Sequence, residues 1–409
     1  MKILLLTQWF DPEPTFKGLV FARELVRQGF DVEVLTGFPN YPGGKLYPGY
    51  RLSWLKKEVI DGVKVTRVPL YPSHDQSSLR RIFNYISFAL SAMTYGLFTL
   101  KKHDVIYSYH PPLTIGVAAV VIRFFRRVPV VYDIQDMWPD TLRATGMIRN
   151  QKVLNIIEYV CQWVYRHVDH LVVLSPGFKN LLIERGVPFG KIDVIYNWAD
   201  EAKLGAPIGD LPVAFPDDEH FRIVFAGNMG KAQALQSVLE AAEILQTRNS
   251  RVCFILVGDG VDASKLKNYA TLKQLKNVVF IPQMPMAEVG TLLQAADALL
   301  VHLRKDPLFK VTIPSKTQAY MATGKPLLMA VDGDAASLIH RSSGGIVAES
   351  ENAVQLAEAA EALANHETCT LLQMGGAARR FYQEHLALAI GVARFGEIFR
   401  QVSKNVRQT

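Results

Sequence analysis

Short apolar runs and helix-period stretches alternate along nearly the whole chain. Residues 3–6, 32–36, 105–108, 129–132, 171–174 and 192–196 are apolar runs of strand length. Between most of them lie helical patterns, at 19–28, 112–126, 151–167 and 177–185. From about Asp200 to His220 the period is lost, and Ala206–Asp218, with three prolines, reads as a linker. Strand patterns then return near 222–226, 252–257, 277–281, 298–301 and 326–331, with helices at 232–247, 263–273, 286–295 and 315–323. From Ala353 to Val402 the tail is helical. Apolar strands alternating with helices predict parallel sheets covered on both faces. The expected fold class is therefore α/β: two doubly wound, Rossmann-like domains facing one another. Their expected limits are 1–200 and 221–385, with a linker over 201–220 and a terminal helix over 386–409. Ligands of such sheets bind beyond the carboxyl ends of the strands, which puts the expected site in the cleft between the domains.

Composition narrows the class. With 409 residues and 49% hydrophobic content, the chain can bury two separate cores. Cys161, Cys253 and Cys369 are far apart and make no metal spacing, so free thiols in a reducing cytoplasm are expected. Lys2–Thr7 is too short for a signal segment and reads as the first buried strand. The net charge is +7, and the excess lies in residues 1–200. There, Arg80-Arg81 and Lys101-Lys102 flank an uncharged run, Ile82–Leu100. That run could just span a bilayer. However, Asn84, Ser87, Ser91, Thr94 and Thr99 interrupt it, and its apolar residues recur at helical spacing. An in-plane or core-facing helix is expected instead, with peripheral attachment to an anionic inner leaflet. No aromatic-basic interleaving supports a nucleic-acid partner.

The residues just past the strands carry the candidate chemistry. Val311–Pro326 is the most informative stretch, because the turn Pro314-Ser315-Lys316 opens a helix that Gly324 and Pro326 close. A helix start offers free N–H groups and a positive dipole end, and Ser315 and Lys316 add a hydroxyl and a charge for the same anion. Gly227-Asn228-Met229-Gly230-Lys231 and Gly258-Asp259-Gly260 end neighbouring strands in the same way. Together these turns describe a nucleotide diphosphate site. Its cationic and amide groups could stabilise a departing pyrophosphate without a metal. After the first strand, Lys17 could meet a phosphate and Gly18 permits close approach. His110, before Pro111-Pro112, is a candidate acceptor contact. Asp133-Ile-Gln-Asp136-Met-Trp-Pro-Asp140 puts three carboxylates at one strand end, where Asp136 or Asp133 could orient an acceptor hydroxyl or stabilise positive charge at a sugar carbon.

Tyr132–Pro139, Gly227–Lys231 and Pro314–Met321, with the Gly18 loop, His110-Pro and Gly324-Lys-Pro326, resemble the GT-B glycosyltransferases of the large retaining family 4 over essentially the whole length. Within that family the motifs are similar to the N-acetyl-L-fucosamine transferases of O-antigen and capsule clusters and to the colanic-acid glycosyltransferases. The resemblance implies a UDP-sugar donor held by the C-terminal domain and an acceptor held by the N-terminal one. It also implies retention of anomeric configuration and a final helix crossing back to the first domain. The expected acceptor is a lipid-pyrophosphate-linked oligosaccharide, at the inner face of the plasma membrane. Many relatives carry two glutamates where this chain has Val311 and Ala319, and Gln318 is the substitute the resemblance suggests. Asn228 stands where an arginine is common, Gln233 where a lysine is, and Asp136 best matches the usual catalytic-region histidine. Two other functions share parts of this pattern: a UDP-N-acetylglucosamine 2-epimerase-like isomerase and a non-catalytic scaffold for polysaccharide assembly.

Overall fold

The computed structural model describes residues 1–73, 78–201, 211–212, 214–217 and 219–408, so most of the expected linker lies outside the described residues. The chain divides into two compact units: Met1–Tyr196 with Leu388–Thr409, and Asn197–Ala387.

In chain order, unit 1 contains β1 (Lys2–Leu6), α1 (Leu19–Arg27), β2 (Asp31–Gly37), β3 (Lys56–Ile60), β4 (Val63–Val68), α2 (Ser78–Phe98) and β5 (Val105–Tyr109). There follow α3 (Leu113–Arg126), β6 (Val130–Ile134), α4 (Asp140–Ala144), α5 (Gln151–His167), β7 (His170–Val173), α6 (Pro176–Glu184) and β8 (Ile192–Val194). The sheet order is β3-β4-β2-β1-β5-β6-β7-β8. Every pairing is parallel except β3 with β4. The strand order reverses between β1 and β5, the switch point at which such sheets bind ligands.

The β3–β4 hairpin was not expected from the apolar runs. β3 alternates half-buried and exposed residues at the sheet edge, and its lysines suit a solvent-facing edge rather than a core strand. Asp61 (φ 47°) and Gly62 (φ 82°) turn it, which is the left-handed pair a two-residue hairpin demands.

Unit 2 contains β9 (Phe221–Ala226), α7 (Gln236–Thr247), β10 (Val252–Val257), α8 (Ala263–Leu272), β11 (Val278–Ile281), α9 (Met286–Ala295) and β12 (Ala298–His302). It continues with α10 (Pro307–Lys310), α11 (Ser315–Thr323), β13 (Leu327–Ala330), α12 (Asp334–Ser342), β14 (Gly345–Ala348), α13 (Ala353–Asn365) and α14 (Thr368–His385). Its sheet is wholly parallel, in the order β11-β10-β9-β12-β13-β14. Here the order reverses between β9 and β12. β14, after β3 and β4, is the third strand the sequence did not announce. It is four residues long, and a Cβ at Gly345 would overlap the Leu327 carbonyl of its neighbour.

The last helix, α15 (Leu388–Gln408), belongs to unit 1. Its buried face carries Phe395 and Phe399, whose rings lie 5.4 and 5.9 Å from the Tyr107 ring on β5. Phe395 also meets Phe21 of α1 edge-on at 5.4 Å. Burying two such rings contributes about 1.5–3 kcal/mol each, enough to hold the returning helix in place. α2 packs along α3, where Gly96 leaves room for Ile122. Among the described residues no helix is long and apolar enough to cross a membrane, and the uncharged 82–100 run forms most of α2.

Candidate active site

In unit 2, two glycine turns converge beyond the carboxyl ends of β9 and β10. Gly227 (φ 144°), Gly258 (φ 133°) and Gly260 (φ 158°) all adopt backbone that side chains rarely allow. A Cβ at Gly258 would overlap the Gly227 carbonyl, and one at Gly260 would come within 2.5 Å of the Met229 carbonyl. The turns are stitched together by Gly227 N–H to the Val257 carbonyl at 2.9 Å and Met229 N–H to the Asp259 carbonyl at 2.8 Å. Beside them is a hollow of about 250 Å³ lined by Gly227, Asn228, Gly258, Asp259, Gln283 and Met284.

α11 aims its first turn at this place. Tyr320, buried, accepts a hydrogen bond from the Ala226 backbone N–H at 2.9 Å and so ties the helix to the end of β9. One turn earlier on the same face stands Lys316. Its Nζ is buried, has no hydrogen-bond partner among the described residues, and lies 3.6 Å from the centre of the Phe225 ring. A Cβ at Gly227 would lie 2.9 Å from that Nζ, so the glycine is what lets the ammonium reach the turn. Burial lowers the Lys316 pKa to about 7. A cation held this way is a pocket of positive potential waiting for an anion.

In unit 1, the ends of β5 and β6 gather the remaining candidates. His110 is buried, with Nδ1 unpartnered among the described residues and its ring edge-on to Trp138 at 5.3 Å and Tyr132 at 5.8 Å. Burial lowers its pKa to about 3, so it is a neutral imidazole at any physiological pH. Asp136 is half-buried, and desolvation raises its pKa. Asp133 is fully buried. It pairs with the Lys17 ammonium and accepts from Tyr107 Oη at 2.5 Å and from Gln135 Nε2 at 2.6 Å.

The comparisons with known proteins fit this arrangement. Residues 19–198 match the glycosyl transferase 4-like domain, and residues 220–366 match the glycosyl transferases group 1 domain. The chain is a GT-B glycosyltransferase. It is 28% identical over 340 residues to a chain named as a colanic acid biosynthesis glycosyl transferase, WcaI of Escherichia coli (strain K12), covering 79% of this chain and 82% of that one. It is 24% identical over 306 residues to a chain named as a glycosyltransferase, WbjE of Pseudomonas aeruginosa, covering 73% and 75%. Among solved structures, the sucrose-phosphate synthase from Thermosynechococcus elongatus matches with a TM-score of 0.73 at 15% identity, over 98% of both chains. Anabaena Alr3699/HepE in complex with UDP and glucose matches at 0.67 and 17%, over 98% of this chain and 99% of that one. At these identities the structural likeness speaks for the fold alone.

Several expected contacts of this glycosyltransferase are placed otherwise. Lys17 is fully buried and paired with Asp133 instead of facing solvent, and burial lowers its pKa against the pull of that carboxylate. An open phosphate position for Lys17 and an acceptor position for Asp133 are therefore replaced by their mutual pair. Gly18 does not make room for a ligand; the Asp11 carboxylate occupies the space and accepts from the Leu19 N–H at 2.6 Å, capping α1. Gln318 is buried, and its amide, oriented by hydrogen bonding, donates to the Pro314 and Ser315 carbonyls of its own helix at 2.9 and 3.1 Å. It braces the first turn instead of reaching a ribose. Gln233 does the same for the Gly turn, accepting from the Gly230 N–H at 3.2 Å. Lys231 is exposed and lies ahead of α7, which begins at Gln236 rather than at 232. Ser315, Asn228 and Gly227 are exposed beside Lys316 and the hollow.

Other polar groups came only with the structure. Glu13 is buried and accepts from the backbone N–H groups of Phe10, Asn40 and Tyr41 at 3.2, 2.7 and 2.8 Å. Desolvation outweighs those bonds and raises its pKa to about 7. Nearby, Gln8 donates to Asn84 at 2.5 Å and Asn84 to Asn40 at 3.2 Å, while Trp9 stacks on Tyr41 at 4.7 Å. In unit 2, His302 at the end of β12 is buried, hydrogen-bonded through Nδ1 to the Gln233 carbonyl at 2.7 Å, with its pKa lowered to about 4 by burial.

Proposed function

We propose that unit 2 binds a UDP-sugar and that the chain transfers an N-acetylated deoxyhexosamine, N-acetyl-L-fucosamine, with retention to a lipid-pyrophosphate-linked oligosaccharide. The single observation that carries the donor reading is the buried Lys316 ammonium, without a hydrogen-bond partner among the described residues, set against the Gly227 turn. A pyrophosphate oxygen beside that Nζ would restore the ion's missing partner, and the exposed start of α11 would add its N–H groups. The UDP complexes of the HepE structures and the colanic-acid name of the WcaI relative support the donor class and the polysaccharide setting. In unit 1, Asp136 is the carboxylate with access to substrate, and His110 lies on the neighbouring strand end as a neutral hydrogen-bonding group. UDP release from candidate donors, measured with and without lipid-linked acceptor, tests the reading. Release that depends on acceptor supports transfer, whereas release without acceptor accompanied by an isomerised sugar would mark an epimerase-like enzyme. No release from any donor would leave a scaffold.

The leaving pyrophosphate is stabilised by Lys316 and backbone N–H groups, so turnover is expected to survive EDTA. Activity abolished by the chelator and restored by added Mg²⁺ or Mn²⁺ would contradict this.

The acceptor lies in a membrane, so unit 1, which holds the positive excess, docks at the anionic inner face. Basic residues near such a surface contribute about 1 kcal/mol each. Replacing Arg80, Arg81, Lys101 and Lys102 by glutamate should therefore abolish co-sedimentation with anionic vesicles. Equal binding of both proteins, or binding that survives high salt, would rule out the electrostatic attachment.

A further inference from the structure

Several of the exposed apolar residues of unit 1 lie along α2 and at the end of α3, and three phenylalanines stand where the two helices end together. Along α2, Ile82, Ile86 and Leu90 form an outward ridge at successive four-residue steps, and Phe98 at the helix end is 83% exposed. At the end of α3, Phe124 and Phe125 are 74% and 66% exposed, with ring centres 5.2 Å apart. The two helix ends are bound to each other. Arg126 donates to the carbonyls of Leu97 and Leu100, and Gly96 admits Ile122. Three phenylalanines thus stand in water on a rigid corner, where a monomeric soluble surface rarely puts such rings.

Cations flank them on both sides. One hollow, about 590 Å³, is lined by Lys102, Arg123, Phe124 and Arg127. Another, about 320 Å³, is lined by Lys57, Lys64, Val59, Tyr95, Thr99 and Lys101. The acids of both are engaged: Asp169 with Arg123, Asp104 with the Lys2 backbone N–H, Glu33 with Lys2, and Glu58 with Lys56 and Arg67. Lys57, Lys101, Lys102 and Arg127 make no ion pair among the described residues.

From this juxtaposition we propose that Phe98, Phe124 and Phe125 form an aromatic wedge that inserts into an anionic bilayer, with Lys101, Lys102 and Arg127 on the headgroup phosphates beside it. The inference rests on the membrane-surface reading and gives it an orientation. β5 and β6 begin at the wedge and end at His110 and Asp136, so the wedge is at the opposite end of the sheet from those side chains. α2, about 31 Å long at 1.5 Å per residue, connects the two ends and lies in the bilayer surface along its apolar ridge. A protein partner fits less well, because the core of a protein interface is depleted of charge, whereas cations here surround the rings closely.

The test uses the full chain. Phe98→Ser/Phe124→Ser/Phe125→Ser should bind phosphatidylglycerol–phosphatidylcholine vesicles about a hundredfold more weakly than the wild type. Its UDP release with a detergent-solubilised acceptor should be unchanged, which keeps failure of the wedge distinct from failure of the transferase reading. A nitroxide at position 125, introduced through Phe125→Cys in a Cys369→Ser background, reports insertion; the other two cysteines are buried. On vesicles the label should gain access to oxygen and lose access to a water-soluble nickel complex. Lys102→Glu/Arg127→Glu should lose the preference for phosphatidylglycerol over pure phosphatidylcholine. Wild-type vesicle binding by the triple serine variant, or a label that stays open to nickel, overturns the proposal. A loss of self-association by that variant in sedimentation velocity, with vesicle binding intact, would assign the face to a second copy of the chain instead.

Discussion

Asn in place of Asp136 is expected to lower kcat by about 10²–10³-fold while leaving UDP-sugar affinity nearly unchanged. The carboxylate is half-buried, its pKa is raised by desolvation, and no cation among the described residues is paired with it. A charge held at such cost gains most when positive charge develops beside it, which happens in the transition state and not in the donor complex. Asn keeps the size and removes the charge. The acid limb of the kcat profile should accordingly lie above the ordinary carboxylate range and disappear in the variant. Asp133→Asn is the internal comparison. It removes the carboxylate charge that offsets the buried Lys17 ammonium, so its effect should appear as lost stability, about 3–5 kcal/mol, seen as a lower thermal midpoint. If Asp136→Asn keeps near-native kcat and Asp133→Asn, still folded, does not, the role passes to Asp133.

The contrast between those two aspartates marks what the sequence could convey. Their position after an apolar run placed both at a strand end, because strand and turn are local. Their different surroundings are not local: Lys17 is 116 residues away in sequence from Asp133, and nothing near either one announces the pair. The Gly turns of unit 2 were legible for the opposite reason, since each needs its own backbone conformation wherever its neighbours lie. Gln318 and Gln233 were expected as ligand contacts from the family resemblance; an amide in such a turn can serve either purpose, and in the fold each spends hydrogen bonds on its own turn. The β3–β4 hairpin is a different case. Asp61-Gly62 is a strong local turn signal, but β3 lies at the sheet edge with lysines and no continuous apolar run, so a search for buried strands passes over it. Glu13 stayed hidden because two of its three backbone donors come from the loop after β2.

Lys316→Ala should weaken UDP-sugar binding by about 1.5–3 kcal/mol, roughly tenfold to a hundredfold or more, and lower turnover with it. The pH dependence makes the test specific. In the free protein burial brings the Lys316 pKa down from 10.5 to about 7. Between those values the unfolded chain binds a proton that the folded one does not, so this group makes stability rise with pH across that window. Pyrophosphate reverses the preference, because the anion favours the charged ammonium and binding takes up a proton. Above about pH 7 the affinity should therefore fall by about tenfold per pH unit, and below it should level off. A UDP-sugar carries no phosphate proton of its own that titrates near neutrality, which makes it a cleaner probe than UDP. Lys316→Met preserves most of the side-chain packing against Phe225 and should remove the slope together with the affinity. Isothermal titration at several pH values, in two buffers of different ionisation enthalpy, reads both the affinity and the proton uptake. Unchanged affinity and turnover in the alanine variant would take Lys316 out of the site, and a slope that persists in the methionine variant would assign the proton to another group.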